Sequence, residues 1–181
     1  MFHVGHIGVL KQSKFAFPYV YLIAGVAGDP ETIKYKGKVV MNEDERSEAI
    51  GATEFVSEVQ MPCPWVYTLK FLEINDIDFI AHDEAPYTSA GQTDIFAEIK
   101  AAGRFYATKR TDGISTSDII LRIINDYDEY LYRQLQRGYK PGDLNISKLK
   151  ANSLLAQRSI SKWKNSFQSK VGRFFSRWRK N

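Results

Sequence analysis

Two histidines three residues apart, His3 and His6, flank Gly5 at the start of a segment whose pattern predicts a helix running to Lys11. One helical turn separates them, so both rings project to the same side. They also stand beside the unpaired N–H groups and positive dipole end of a helix N-terminus. That combination suits a triphosphate. Taken alone, it reads more readily as two surface histidines. A metal site would need a further Cys/His cluster, which the sequence does not offer, so no metal ligand is assigned. Far downstream, Arg110-Thr111-Asp112-Gly113-Ile114-Ser115-Thr116 reads as a strand exit, a glycine turn and a hydroxyl-rich helix entry. Ser and Thr ahead of an apolar run are ordinary N-caps. With Arg110 and free backbone N–H groups, the segment serves equally well as a phosphate cradle.

These motifs need a frame, and the intervening sequence predicts alternating strands and helices. Tyr19–Val26 is a short apolar run that predicts a strand buried on both faces. Asn42 opens a helix to Gly51, and Glu54–Val59 predicts a second strand. Trp65–Ile74 has helical spacing, Ile77–Ala81 a strand pattern, and Thr93–Ala102 predicts a helix stopped by Gly103. Arg104–Thr108 is a fourth strand, and Ser117–Arg137 predicts one long helix. Strands alternating with helices of about ten residues indicate an α/β fold, doubly wound around a mainly parallel sheet. Such a unit normally begins with a strand that delivers the chain to the phosphate site. Met1 lies two residues before His3, so the expectation is an α/β body, 1–145, that lacks this strand.

The blocks become specific in combination. His3-x-Gly5-His6, Tyr35-Lys36-Gly37, Met41–Arg46, Cys63-Pro64-Trp65, Ala81-His82-Asp83 and the Arg110–Thr116 run occur in an order that resembles the cytidylyltransferase family. The stretch Ala81–Gly91 is similar to its phosphocholine branch, and the likeness extends from residue 2 to about 146. The resemblance implies a Rossmann-like nucleotidyltransferase that joins CTP and phosphocholine into CDP-choline and pyrophosphate. It implies that His3 and His6 contact the phosphates, and that Lys36 bridges the phosphates of both substrates. Arg110, Thr111, Gly113, Ile114, Ser115 and Thr116 would hold the nucleotide. Trp65 and Tyr87 would face the choline head, Asp83 would be its acid, and His82 would help bind. By residue type alone, Lys36 reads as a solvated loop lysine, Trp65 as core and Tyr87 as a loop tyrosine. The resemblance also implies Mg²⁺ accompanying CTP, and a homodimer. Lys109 departs from it, standing where the family commonly has Gln. The alternative expectation is a truncated, catalytically impaired paralogue or fragment acting by dimerisation or membrane binding.

Charge divides the chain. Ten of its 25 Lys/Arg and none of its 21 Asp/Glu fall in 146–181, so an acidic body carries a basic tail. At about 100° per residue, Trp163, Phe167, Val171, Phe174 and Trp178 fall within an arc of roughly 80°, joined by Leu149 and Ile160. Cationic residues hold the opposite half, the pattern of an amphipathic helix lying on an anionic membrane surface. Docking on the body or on a partner is the alternative, and no nucleic-acid-reading motif accompanies the charge. The single cysteine, Cys63, excludes an intramolecular disulfide and reads as a small buried apolar group. No basic-then-apolar leader opens the sequence, and its best apolar stretch is about half a membrane span. The expected location is intracellular, cytoplasmic or nuclear, and reversibly peripheral on endomembranes.

Overall fold

The computed structural model describes residues 1–160. The chain divides into two units, Met1–Ile119 and Ile120–Asn181. The first holds α1 (Val4–Lys14), β1 (Ile23–Ala27), α2 (Asp29–Lys36), α3 (Glu43–Gly51), β2 (Glu58–Cys63), α4 (Leu69–Ile74), β3 (Ile80–Asp83), α5 (Ala97–Ala101) and β4 (Phe105–Thr108). Helix α6 (Thr116–Asn125) crosses the division, and α7 (Tyr127–Gln136) lies in the second unit with a helical stretch over 148–160.

Alternation of helix and parallel strand follows the expected α/β pattern. The four strands pair as two separate two-stranded parallel sheets, β1 with β2 and β3 with β4. Strand β1 starts four residues later than expected, with Ala24 and Val26 buried and Gly25, on the other face, leaving no room for a Cβ beside Cys63 and Tyr67. The tyrosines explain the late start: Tyr19 takes a positive φ of 61° and Tyr21 is exposed. Side chains help hold this entry, Lys14 donating to the Val20 carbonyl and the Leu22 N–H donating to Ser57, while the Leu22 carbonyl accepts from the Ser57 N–H. Strand β2 is likewise displaced towards the C-terminus of its expected range. Its register slips opposite Gly25–Ala27, where Pro62 has no N–H to give the ladder.

Helix ends decide the other differences. Thr68 accepts from the Phe71 N–H and starts α4 there, leaving Trp65 to Tyr67 outside the helix. Asp94 accepts from the Phe96 and Tyr87 N–H groups, so α5 begins later than Thr93. Gly103, at φ 70°, follows α5 as expected. The predicted long helix breaks at Asp126 (φ −97°, ψ 5°), after which Asp128 and Glu129 suit the positive end of α7. Leu72, Ile99 and Phe96 form the centre of the first unit's core with the buried Cys63.

In the second unit, Leu131, Ala151 and Leu154 are buried. Lys150 pairs with Asp128 and Arg158 with Glu129, tying 148–160 to α7. The first residues of the expected apolar stripe, Leu149 and Ile160, are exposed. Trp163, Phe167, Val171, Phe174 and Trp178 lie outside the described residues. Among the described residues no helix is long and apolar enough to cross a membrane.

Candidate active site

His3 is the N-cap of α1, its Nδ1 accepting from the Gly5 N–H at 3.1 Å. An accepting Nδ1 carries no proton, so in the neutral ring the N–H belongs to Nε2, which remains a donor. The His6 ring lies 4.0 Å from it, centre to centre. His6 keeps an exposed edge, yet crowding around the ring and the neighbouring His3 hold its pKa down to about 4. Burial lowers His3 as well. Both rings are therefore neutral donors or acceptors near pH 7, not fixed cations.

One face of α1 carries Gly5, Gly8 and Gln12, spaced by three and four residues. A Cβ on Gly5 would stand 3.4 Å from the Ile114 side chain, and one on Gly8 only 2.5 Å from Thr111 Oγ1. Gln12 then clasps the Lys109 backbone, donating to its carbonyl and accepting from its N–H, both at 2.9 Å. The helix is thus laid along 109–114 in reverse order, bringing the histidine pair to the Arg110–Thr116 run. No departure at Lys109 disturbs this clasp, because only its backbone takes part. Gly113 turns at φ 73° with open space where a Cβ would be. Ser115 caps α6, its hydroxyl accepting from the Asp118 N–H. Ordinary capping therefore accounts for Ser115, while the open turn at Gly113 accounts for the cradle's shape.

Lys36 is not in a loop. Pro30 in the first turn and the acids Asp29 and Glu31 start α2, and Lys36 is its last residue, capped by Gly37. Its ammonium stands 5.6 Å from the Trp65 ring centre and 5.2 Å from that of Tyr87. Tyr35 stacks on Trp65 at 5.1 Å, and the Trp65 indole N–H is held by Ser89 at 2.8 Å. His82 meets Tyr87 edge-on at 5.7 Å and rests on Phe96. Burial lowers the His82 pKa, partly opposed by Asp83. Trp65 is thus half-exposed in an aromatic group, not core. Asp83 is directed elsewhere: its carboxylate takes Arg110 Nε and an Arg110 terminal nitrogen at 3.0 and 2.9 Å.

The structure therefore gathers His3, His6, Thr111 and Ile114 at one place, and Lys36, Trp65, His82 and Tyr87 at another. Asp83 sits with Arg110, next in sequence to His82 and to Thr111. Lys36 connects the two places electrostatically, since its charge helps depress both His6 and His82. Sequence reasoning missed Gln12, Tyr35 and Ser89. For Gln12 the signal was available, as the third residue of the Gly5–Gly8 stripe. A neutral imidazole pair with an open glycine turn can take phosphate oxygens, and stacked aromatic faces already holding an ammonium can take a cation.

The cytidylyltransferase-like family matches residues 1–122. The chain is 48% identical over 164 residues to choline-phosphate cytidylyltransferase A of Rattus norvegicus, covering 91% of this chain and 45% of that protein. It is 45% identical over 168 residues to choline-phosphate cytidylyltransferase of Saccharomyces cerevisiae, covering 93% and 40%. Against ethanolamine-phosphate cytidylyltransferase of Mus musculus it is 36% identical over 124 residues, covering 68% and 30%. The chain spans less than half the length of these curated relatives. With the histidine pair, the glycine turn and the parallel α/β frame all inside the matched region, the chain belongs to the cytidylyltransferase-like family.

Proposed function

We propose that this chain transfers the cytidylyl group of CTP to phosphocholine. The observation that carries the reading is Lys36, one cation held by the aromatic pair Trp65 and Tyr87 while its field reaches His6. A quaternary ammonium cannot donate hydrogen bonds, so aromatic faces are its natural site. A phosphate oxygen of phosphocholine attacks the α-phosphorus of CTP, the new P–O bond forms, and the bond to the pyrophosphate oxygen breaks. No covalent enzyme intermediate is needed. His3 donates through Nε2 and His6 through a ring N–H to phosphate oxygens as charge develops, with Lys36 placed to bridge both phosphates. Arg110, Thr111 and the turn over Gly113, Ile114, Ser115 and Thr116 hold the nucleotide, and His82 lines the choline end. Asp83 contributes through Arg110, whose guanidinium its carboxylate holds.

The Mg²⁺ implied with CTP fits as a passenger of the nucleotide. Among the described residues no group of three or more His, Cys, Asp or Glu could cage an ion. When bound, the ion would take oxygens of the triphosphate and of water and would neutralise phosphate charge. We extend the reading to a homodimer whose body, 1–145, carries a membrane-binding tail, 146–181. Ten cations and no acid in that tail support reversible binding to an anionic surface on the cytoplasmic or nuclear side. The test is product formation by the 181-residue chain with CTP, Mg²⁺ and either phosphocholine or phosphoethanolamine. CDP-choline that disappears in Lys36→Ala is the expected result. Preference for phosphoethanolamine, or no CDP-choline, overturns the reading.

A further inference from the structure

We propose that Lys36 is the resident cation of the choline cage, and that the incoming trimethylammonium expels it towards the phosphates. The inference deepens the functional reading above and rests on it. The Lys36 ammonium lies within the reach of a cation–π contact from two rings at once, 5.6 Å from Trp65 and 5.2 Å from Tyr87. Those faces are also held in place without it, Trp65 by Ser89 and by the stacked Tyr35, and Tyr87 by the edge-on His82 ring, with its main-chain N–H fixed by Asp94. The cage is therefore a formed site, and the lysine is its occupant rather than its support.

The two cations are not equal competitors. A lysine ammonium is compact and strongly hydrated, and it gives up water hydrogen bonds to sit between rings. A trimethylammonium donates none, so the same faces suit it better. Lys36 also has somewhere to go. It ends α2, and the next residue, Gly37, adopts φ 95° and ψ −167° with nothing within 4 Å of a would-be Cβ. That backbone conformation is essentially reserved for glycine, so the side chain pivots beside an unencumbered turn. Choline entry thereby releases a positive charge next to the phosphate-facing histidines at the moment it is needed. A primary ammonium, hydrated like lysine itself, exchanges less well, which makes the resident lysine a filter for the head group.

The test uses tetramethylammonium, which has the quaternary head and no phosphate. Its affinity is measured by calorimetry at constant total chloride for the 181-residue chain, Lys36→Met, Lys36→Arg and Trp65→Ala. Lys36→Met is expected to bind it about three- to tenfold more tightly than the unaltered chain, the equivalent of one released cation–π contact. Lys36→Arg keeps a cation in the cage and stays close to the unaltered chain, while Trp65→Ala loses binding. Phosphocholine affinity does not rise in parallel in Lys36→Met, because its phosphate loses the lysine. Suppose phosphocholine binds the unaltered chain in a Trp65-dependent way, yet Lys36→Met binds tetramethylammonium no better. Then the exchange is wrong and the functional reading stands. If phosphocholine does not bind the unaltered chain, both fall together.

Discussion

Replacing Gly8 by Ala tests whether α1 is docked as tightly as the site requires. Gly8 lies inside α1, where Gly→Ala alone stabilises a helix by about 1 kcal/mol. Here the new Cβ would meet Thr111 Oγ1 at 2.5 Å, well inside ordinary contact of 3.4–4 Å. Overpacking of this kind costs about 1–3 kcal/mol, so the two effects leave Gly8→Ala neutral to destabilising by about 2 kcal/mol. Thr111→Ala removes the offending hydroxyl and leaves the Thr111 Cβ position at 3.9 Å, an ordinary contact. In that background Gly8→Ala is expected to stabilise by about 1 kcal/mol. The sign therefore reverses, with a coupling of about 1–3 kcal/mol between the two positions. Urea unfolding of the four proteins measures it through the midpoint, provided the slope is unchanged. Equal stabilisation by Gly8→Ala in both backgrounds would refute the reasoning, because Thr111 would then be free to turn away from α1.

Further expectations concern charge and the cage. The His6 pKa of about 4 lies below its ordinary 6.5, so as pH falls the unfolded chain takes up the proton first. Stability from this group is full above about pH 6.5 and is lost between there and about 4, with His3 and His82 shifted the same way. His6→Asn should flatten the dependence of the unfolding midpoint on pH in that window, and an NMR titration of His6 with a midpoint above 6.5 contradicts the account. Trp65→Ala should raise the phosphocholine KM about tenfold or more while leaving the CTP KM unchanged; equal rises would remove the indole from the choline cage. Arg110 has a 75% exposed side chain, so its pair with Asp83 contributes less than about 1 kcal/mol. Arg110→Ala should thus raise the CTP KM and barely move the unfolding midpoint; a large midpoint loss at constant KM argues for a structural role instead. The chain should sediment with anionic but not neutral vesicles, each tail Lys/Arg near the surface adding up to about 1 kcal/mol. Unchanged sedimentation after Trp163, Phe167 and Trp178 are all replaced by Ala sinks the tail assignment.

The histidine end of the candidate site was legible because its determinants are local. An N-cap histidine, a second histidine one turn on, and a glycine turn ahead of a Ser cap are recognisable from residue type and spacing. What joined them was not. That Gly5, Gly8 and Gln12 address Ile114, Thr111 and Lys109 depends on a register between segments about a hundred residues apart, which no local preference encodes. The aromatic end was less legible for a different reason, the places where helices stop. Read as a loop, Lys36 is incidental; as the last residue of a helix begun at Asp29-Pro30, it is carried to the aromatic rings. Read as core within a helix from 65 to 74, Trp65 is packing; with α4 started at Thr68 it stays in the open segment and faces Tyr35 and Lys36. Tyr87 depends on Asp94, which holds its N–H while also starting the turn into α5.

The two ends of the site therefore rest on different physics. The histidine end is set by close packing of one glycine-bearing helix face, where a single methyl group is decisive. The aromatic end is set by helix termination, where a cap or a glycine decides which way a side chain leaves its element. A relative that kept every aromatic but gained or lost one residue inside α2 would turn the residue equivalent to Lys36 about 100° around the helix axis, away from both rings. The placing of Lys36 between Trp65 and Tyr87 thus depends on Gly37 and Thr68 as much as on the two rings themselves.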